Sequence, residues 1–115
     1  MTASSQRFDA FQVLADPSRR QILRLLTKDS QTINSVAENF DMSRPAISKH
    51  IKILENAGFI TIHDLGRERY CSLKQDGFHE IQEWIEFFDK FWSSKLKKLE
   101  GLMNRQEKQK TNRKK

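Results

Sequence analysis

Of 115 residues only one is cysteine, two are proline and four are glycine. The lone Cys71 has no mate, so an internal disulfide is excluded, in keeping with a reducing compartment. So little proline and glycine leaves no flexible linker, and with no internal repeat the chain reads as one domain of ordinary size. No apolar run approaches the roughly 18–20 residues needed to span a bilayer. Met1 to Arg7 carries no apolar signal core. Neither a membrane contact nor export is therefore expected, and the cytoplasm is the expected compartment. Also missing are a phosphate-cradling glycine loop, a nucleophile paired with a base, and two carboxylates set for acid–base chemistry. No enzymatic activity and no cofactor are expected.

Charge of one sign is scarce in the body of the chain. The net charge is +6, but residues 102–115 hold six basic residues and one acid, a net +5, which leaves +1 for residues 1–101. The basic excess therefore belongs to a polar tail, read here as an unstructured segment over 104–115 that adds sequence-independent phosphate attraction. Evidence for a nucleic-acid partner has to come from local pattern in residues 1–103.

That pattern reads as four helices, two strands and a long last helix, a mainly α fold with a small β-hairpin (α+β). Phe8, Phe11 and Leu14 mark a first helix over Gln6 to Ala15. Asp16 and Pro17 suit the cap and first position of a second helix lined by Ile22, Leu23, Leu25 and Leu26. Thr32 caps a third, from Ile33 to about Phe40. After a break at Asp41-Met42-Ser43, Ser43 caps a fourth, Arg44 to Ala57, stopped by Gly58. The β-branched run Phe59 to His63, the glycine turn at Asp64 to Arg67, and the return over Glu68 to Leu73 predict a hairpin. A long helix then runs to about Met103.

Two short helices joined by a tight turn form a helix-turn-helix unit. Wound at 3.6 residues per turn, the fourth helix divides into two sides. Ile47, His50, Ile51 and Leu54 fall on one side; Pro45, Ser48, Lys49 and Lys52 fall on the other. The second side is small, polar and basic, as a major groove requires of a helix that approaches closely and donates hydrogen bonds. Ser43 and Ser48 permit close approach, and Arg44 reaches guanine O6 and N7 with its forked donors. His50 admits two roles, packing with a hydrogen bond or a phosphate contact. The hairpin that follows is a wing whose Arg67 and Arg69 suit phosphate or a narrow minor groove, tempered by Asp64 and Glu68. The expected partner is double-stranded DNA.

The last helix carries Phe78, Ile81, Ile85, Phe88, Trp92, Leu96, Leu99 and Met103 at steps of three and four, with Trp84, Phe87 and Phe91 beside them. This stripe is too long and too aromatic for so small a domain to cover, so a homodimer is expected, with Ile81, Ile85, Phe88, Trp92, Leu96 and Leu99 at its interface. A two-fold axis would set two recognition helices one DNA turn apart, about 34–36 Å. The same stripe offers a place for a small apolar effector.

The segments "LADPSRRQILRLL", "SVAENFDMSRPAISKHIKILENAGFI" and "GRERYCSL" resemble the ArsR-type (ArsR/SmtB) winged-helix repressors over roughly residues 8–75. The resemblance implies a dimeric repressor on a palindromic operator, released or tuned by a signal, with Phe8 and Phe11 of the first helix joining the interface. It also implies a check for metal ligands. The family's Cys-x-Cys position is Ile33-Asn34-Ser35-Val36-Ala37-Glu38 here, without cysteine or histidine. His79 and Glu80 stand where the last-helix site begins, but Asp89, Lys90, Phe91, Trp92 and Ser93 follow where a second histidine belongs. The chain therefore resembles a subgroup without the metal-site ligands, and no metal is expected. Cys71 reads first as a small strand hydrophobe and second as a redox sensor. Fold alone leaves one rival, a winged helix that docks protein without specific DNA binding; the small basic face favours DNA.

Overall fold

Asp16 illustrates how the helices of this chain begin. Its carboxylate accepts from the backbone N–H groups of Ser18 (2.8 Å) and Arg19 (3.2 Å), and Pro17, which lacks an N–H, takes the first turn of the helix. The computed structural model describes residues 9–114, with side chains through residue 106, so Phe8 lies outside the described residues. Helix α1 (Ala10–Leu14) is capped by Asp9, α2 (Pro17–Leu25) by Asp16, α3 (Ile33–Ala37) by Thr32 and α4 (Arg44–Asn56) by Ser43. Each such cap contributes about 1 kcal/mol. Burial opposes the Asp16 carboxylate, but the N–H groups of Arg19 and Ser18, with His50 and Arg19 nearby, outweigh it and hold its pKa below the ordinary value. That stabilisation is complete above the ordinary carboxylate range and is lost as pH falls through the lowered value.

Gly58 ends α4 with φ +84°, which is costly for any residue with a Cβ. Gly58 N–H bonds to Glu55 C=O and Phe59 N–H to Leu54 C=O, the paired closure of a Schellman motif. The chain then forms β2 (Ile60–Leu65) and β3 (Glu68–Leu73), antiparallel in a register that pairs Ile62 with Cys71 and Asp64 with Arg69. Gly66, φ +62°, opens the two-residue loop, as a type II′ turn demands. A further strand, β1 (Gln31–Thr32), pairs with the other edge of β3, giving the order β1-β3-β2. This third strand ties the start of α3 to the wing; two residues are too few to show alternation in sequence.

The core gathers Val13, Ile22, Leu26, Val36, Ile47, Ile51, Leu54, Phe59, Ile60 and Cys71. In α1 the buried residues are Ala10 and Val13, while Phe11 and Leu14 are half-buried, so the expected stripe is displaced by one residue. Helix α3 stops at Ala37 rather than near Phe40, because residues 38–40 turn toward the break before α4. Phe59, expected in the strand, is instead fully buried just before it and packs edge-on against Phe78 at 4.8 Å.

A 3-10 turn, Asp76–Phe78, precedes α5 (His79–Lys114). Gly77 donates its N–H to Gly58 C=O at 2.7 Å, and a Cβ on it would stand 2.8 Å from Phe59 Cγ and 2.9 Å from Gly58 C. Both neighbours are fixed, one as backbone and one as a buried ring. Gly77→Ala is therefore expected to cost about 1–3 kcal/mol. A thermal melt checks this; an unchanged midpoint would contradict the packing.

The chain divides into two compact units, Met1–Ile81 and Gln82–Lys115, the second being the remainder of α5. Helix α5 continues to Lys114 instead of ending near Met103. Over 104–114 the backbone is helical where the sequence suggested an unstructured tail: no glycine or proline follows Gly101, and Arg, Gln, Glu and Lys are good helix formers.

Candidate nucleic-acid interface

The side chains of α4 sort as the 3.6-residue winding requires. Ile47, Ile51 and Leu54 are buried against the core, which fixes the helix about its axis. Ser43, Arg44, Pro45, Lys49 and Lys52 are then exposed and Ser48 is half-buried. Lys52 lies 3.5 Å from Glu55, one turn on, an exposed pair worth little in water and readily exchanged for a phosphate. Among the described residues, Lys49 and Arg67 have no hydrogen-bond or ion-pair partner for their side chains.

His50 departs from this outward group. Its Nδ1 is 3.2 Å from Arg19 Nη1, and since a guanidinium only donates, the imidazole accepts there. Arg19 is itself held by Nε donating to Val13 C=O at 2.8 Å and by Asp16 at 3.8 Å. Of the two roles open to His50, the structure supports packing and hydrogen bonding between α2 and α4.

Arg44 also points to a specific neighbour: its Nη1 donates to Asn34 Oδ1 in the first turn of α3. Both residues line a cavity of about 190 Å³ whose other wall is the wing, with Arg67, Glu68 and Arg69. A second cavity of about 130 Å³ holds Arg44, Ser48, Lys52 and Arg69. The wing residue Arg69 donates Nε to Asp64 across the hairpin at 3.2 Å, which lowers the net positive field of the wing. Sequence reasoning missed Asn34, a polar residue with no distinguishing pattern.

In the second unit the apolar stripe of α5 is exposed. Phe88 is 36% exposed, Trp92 57% and Leu96 59%, with Ile85 exposed before them and Leu99 after them. Edge-on ring contacts join Phe88 to Trp84 and Phe87 at 5.0 Å and Phe91 to Trp92 at 5.0 Å. Two further residues expected at the interface are half-buried within the first unit. Ile81 packs against the core of the first unit, because it follows the turn that Phe78 anchors, and Phe11 is half-buried.

Cys71 is fully buried on the inner face of β3. Burial pushes its thiol up to about 11, against the pull of Arg69 and with Glu55 adding to the rise. The reactive thiolate is therefore suppressed at neutral pH, and the strand-hydrophobe reading fits better than the redox sensor. Thiol reagents are expected to label Cys71 only as fast as the protein opens; immediate labelling of the folded chain would contradict this. Among the described residues no group of three or more His, Cys, Asp or Glu side chains is placed to hold a metal ion, and no helix is long and apolar enough to cross a membrane.

Comparison with known proteins adds to this geometry. The family model described as "Bacterial regulatory protein, arsR family" matches residues 16–61, the span from the Asp16 cap to the start of the wing. The transcriptional repressor SdpR of Bacillus subtilis is 36% identical over 77 residues, covering 67% of this chain and 86% of that protein. The HTH-type transcriptional regulator Rv2034 of Mycobacterium tuberculosis is 31% identical over 87 residues, 76% of this chain and 78% of that one. A crystal structure of the ArsR family transcriptional regulator RHA00566 superposes with a TM-score of 0.68 at 37% identity, covering 75% of this chain and 89% of the other.

Proposed function

The chain belongs to the ArsR family of bacterial regulatory proteins, and from that premise we propose that it is a transcriptional repressor that binds an inverted-repeat operator as a homodimer. The observation that carries the reading is the outward face of α4. Pro45, Lys49 and Lys52 are exposed and Ser48 is half-exposed, opposite a buried face that locks their direction. A helix of this kind fills a major groove about 12 Å wide. Small side chains let its backbone approach, Ser48 and Lys49 reach base edges and phosphates, and the unpartnered Arg67 at the wing tip suits the adjoining minor groove. The exposed stripe of α5 supplies the contact between protomers, and a dimer presents two such helices to successive turns of one face of the duplex. The protein acts where DNA is, in the cytoplasm, as a regulator and not as an enzyme. Its release is assigned to an effector other than a thiol oxidant, given the burial of Cys71.

The test is a salt titration of the full chain against a random-sequence duplex. Neutralising Z phosphates releases counterions, so log K falls against log salt with a slope of about −0.9Z. A steep slope is expected. Absent or salt-independent binding would instead favour a winged helix that docks protein.

A further inference from the structure

We propose that Arg44, Arg67 and Arg69 form a seat for one DNA phosphate between the recognition helix and the wing, and that Asn34 positions Arg44 in it. This rests on the DNA-binding reading above, and gives Arg44 a role different from reading guanine and Arg67 a role different from entering the minor groove. When α4 lies in the major groove and the wing in the neighbouring minor groove, the sugar–phosphate ridge that divides the two grooves has to pass between them. The cavity of about 190 Å³ occupies that place, between Asn34 and Arg44 on one side and Arg67 and Arg69 on the other.

The donors are suited to an anion. Three guanidiniums face the cavity and Glu68 is the only acid among its lining residues, a formal local charge of +2. Arg44 spends one Nη1 hydrogen on Asn34 and Arg69 spends Nε on Asp64, so each keeps other N–H groups, and Arg67 keeps all of its own. Planar forks of this kind bind phosphate oxygens in pairs. Two of the three side chains are already held by a hydrogen bond, so less freedom is lost when the anion arrives. The Asn34 bond also turns the Arg44 guanidinium toward α3 and the wing, whereas base edges would lie beyond Ser48 and Lys49.

Phosphate attachment and base reading leave different traces. Arg44→Ala in the full chain is expected to weaken binding to a random-sequence duplex roughly tenfold. It should also flatten the salt slope by about 0.9 for each protomer. The base preference selected from a random pool should be unchanged. Arg67→Ala, in an exposed turn that tolerates substitution, should do the same. Asn34→Ala keeps the charge, so it should lower affinity without changing the slope, and it should have no further effect in the Arg44→Ala background. If Arg44→Ala shifts the selected base at one position, or leaves the slope as it was while the parent binds, the phosphate seat is wrong and the DNA reading survives. If the parent itself shows no salt-dependent binding to duplex, both fall together.

Discussion

Phe88→Glu is expected to leave the chain monomeric and to lower its affinity for an operator by a hundredfold or more. Phe88 lies at the centre of the aromatic group of α5, 5.0 Å from Trp84 and Phe87 and 6.4 Å from Phe91 by ring centroid. Covered by a second copy, this surface contributes about 25 cal/mol for each Å² of apolar area removed from water. A carboxylate at its centre would be buried without a partner, at a cost of several kcal/mol. Loss of the dimer then separates the two recognition helices, and the avidity of linked binding, about 10²–10⁴, goes with it. Sedimentation equilibrium and operator binding check both halves. The substituted position is exposed in a single protomer, so the helical content should stay as in the parent. A variant that sediments at the parent's mass would contradict the interface.

Lys49→Glu is expected to lower operator affinity by at least a hundredfold without changing the thermal midpoint. Lys49 is exposed and, among the described residues, its side chain has no hydrogen-bond or ion-pair partner, so its substitution breaks no such bond there. In the complex it changes the charge facing the duplex by two units in each protomer. A contact to a base edge or phosphate is worth about 1–3 kcal/mol, and the dimer loses it twice. Lys28→Glu, an exposed change of the same charge outside α4, serves as the control. Equal effects of the two would mean that general charge, and not the face of α4, governs binding.

The parts of this molecule that were legible in its sequence are those that local chemistry decides. Asp16, Thr32 and Ser43 announce helix starts because short polar side chains satisfy free N–H groups, and Gly58 announces a stop because the chain needs positive φ there. The two sides of α4 followed from winding alone, since Ile47, Ile51 and Leu54 return every three or four residues. What was not legible depends on distant partners. His50 is engaged by Arg19, 31 positions earlier, and Arg44 is turned by Asn34, ten positions earlier. Strand β1 exists because β3 has a free edge beside Gln31 and Thr32, which two residues cannot reveal on their own. The end of α5 is not marked by its apolar stripe, which stops near Met103 while helix propensity continues to Lys114. For α5, the sequence identified an apolar face but not which of its residues the protomer itself would cover, and Ile81 proved to be one of them.

The central claim is that two copies of this chain present α4 to one duplex. Selection of bound DNA from a random-sequence pool, using the whole 115-residue chain, tests it most directly. Enrichment of an inverted repeat with half-sites about 10–10.5 base pairs apart, centre to centre, is the expected result. Enrichment of a single asymmetric site, or of no sequence at all, would contradict it.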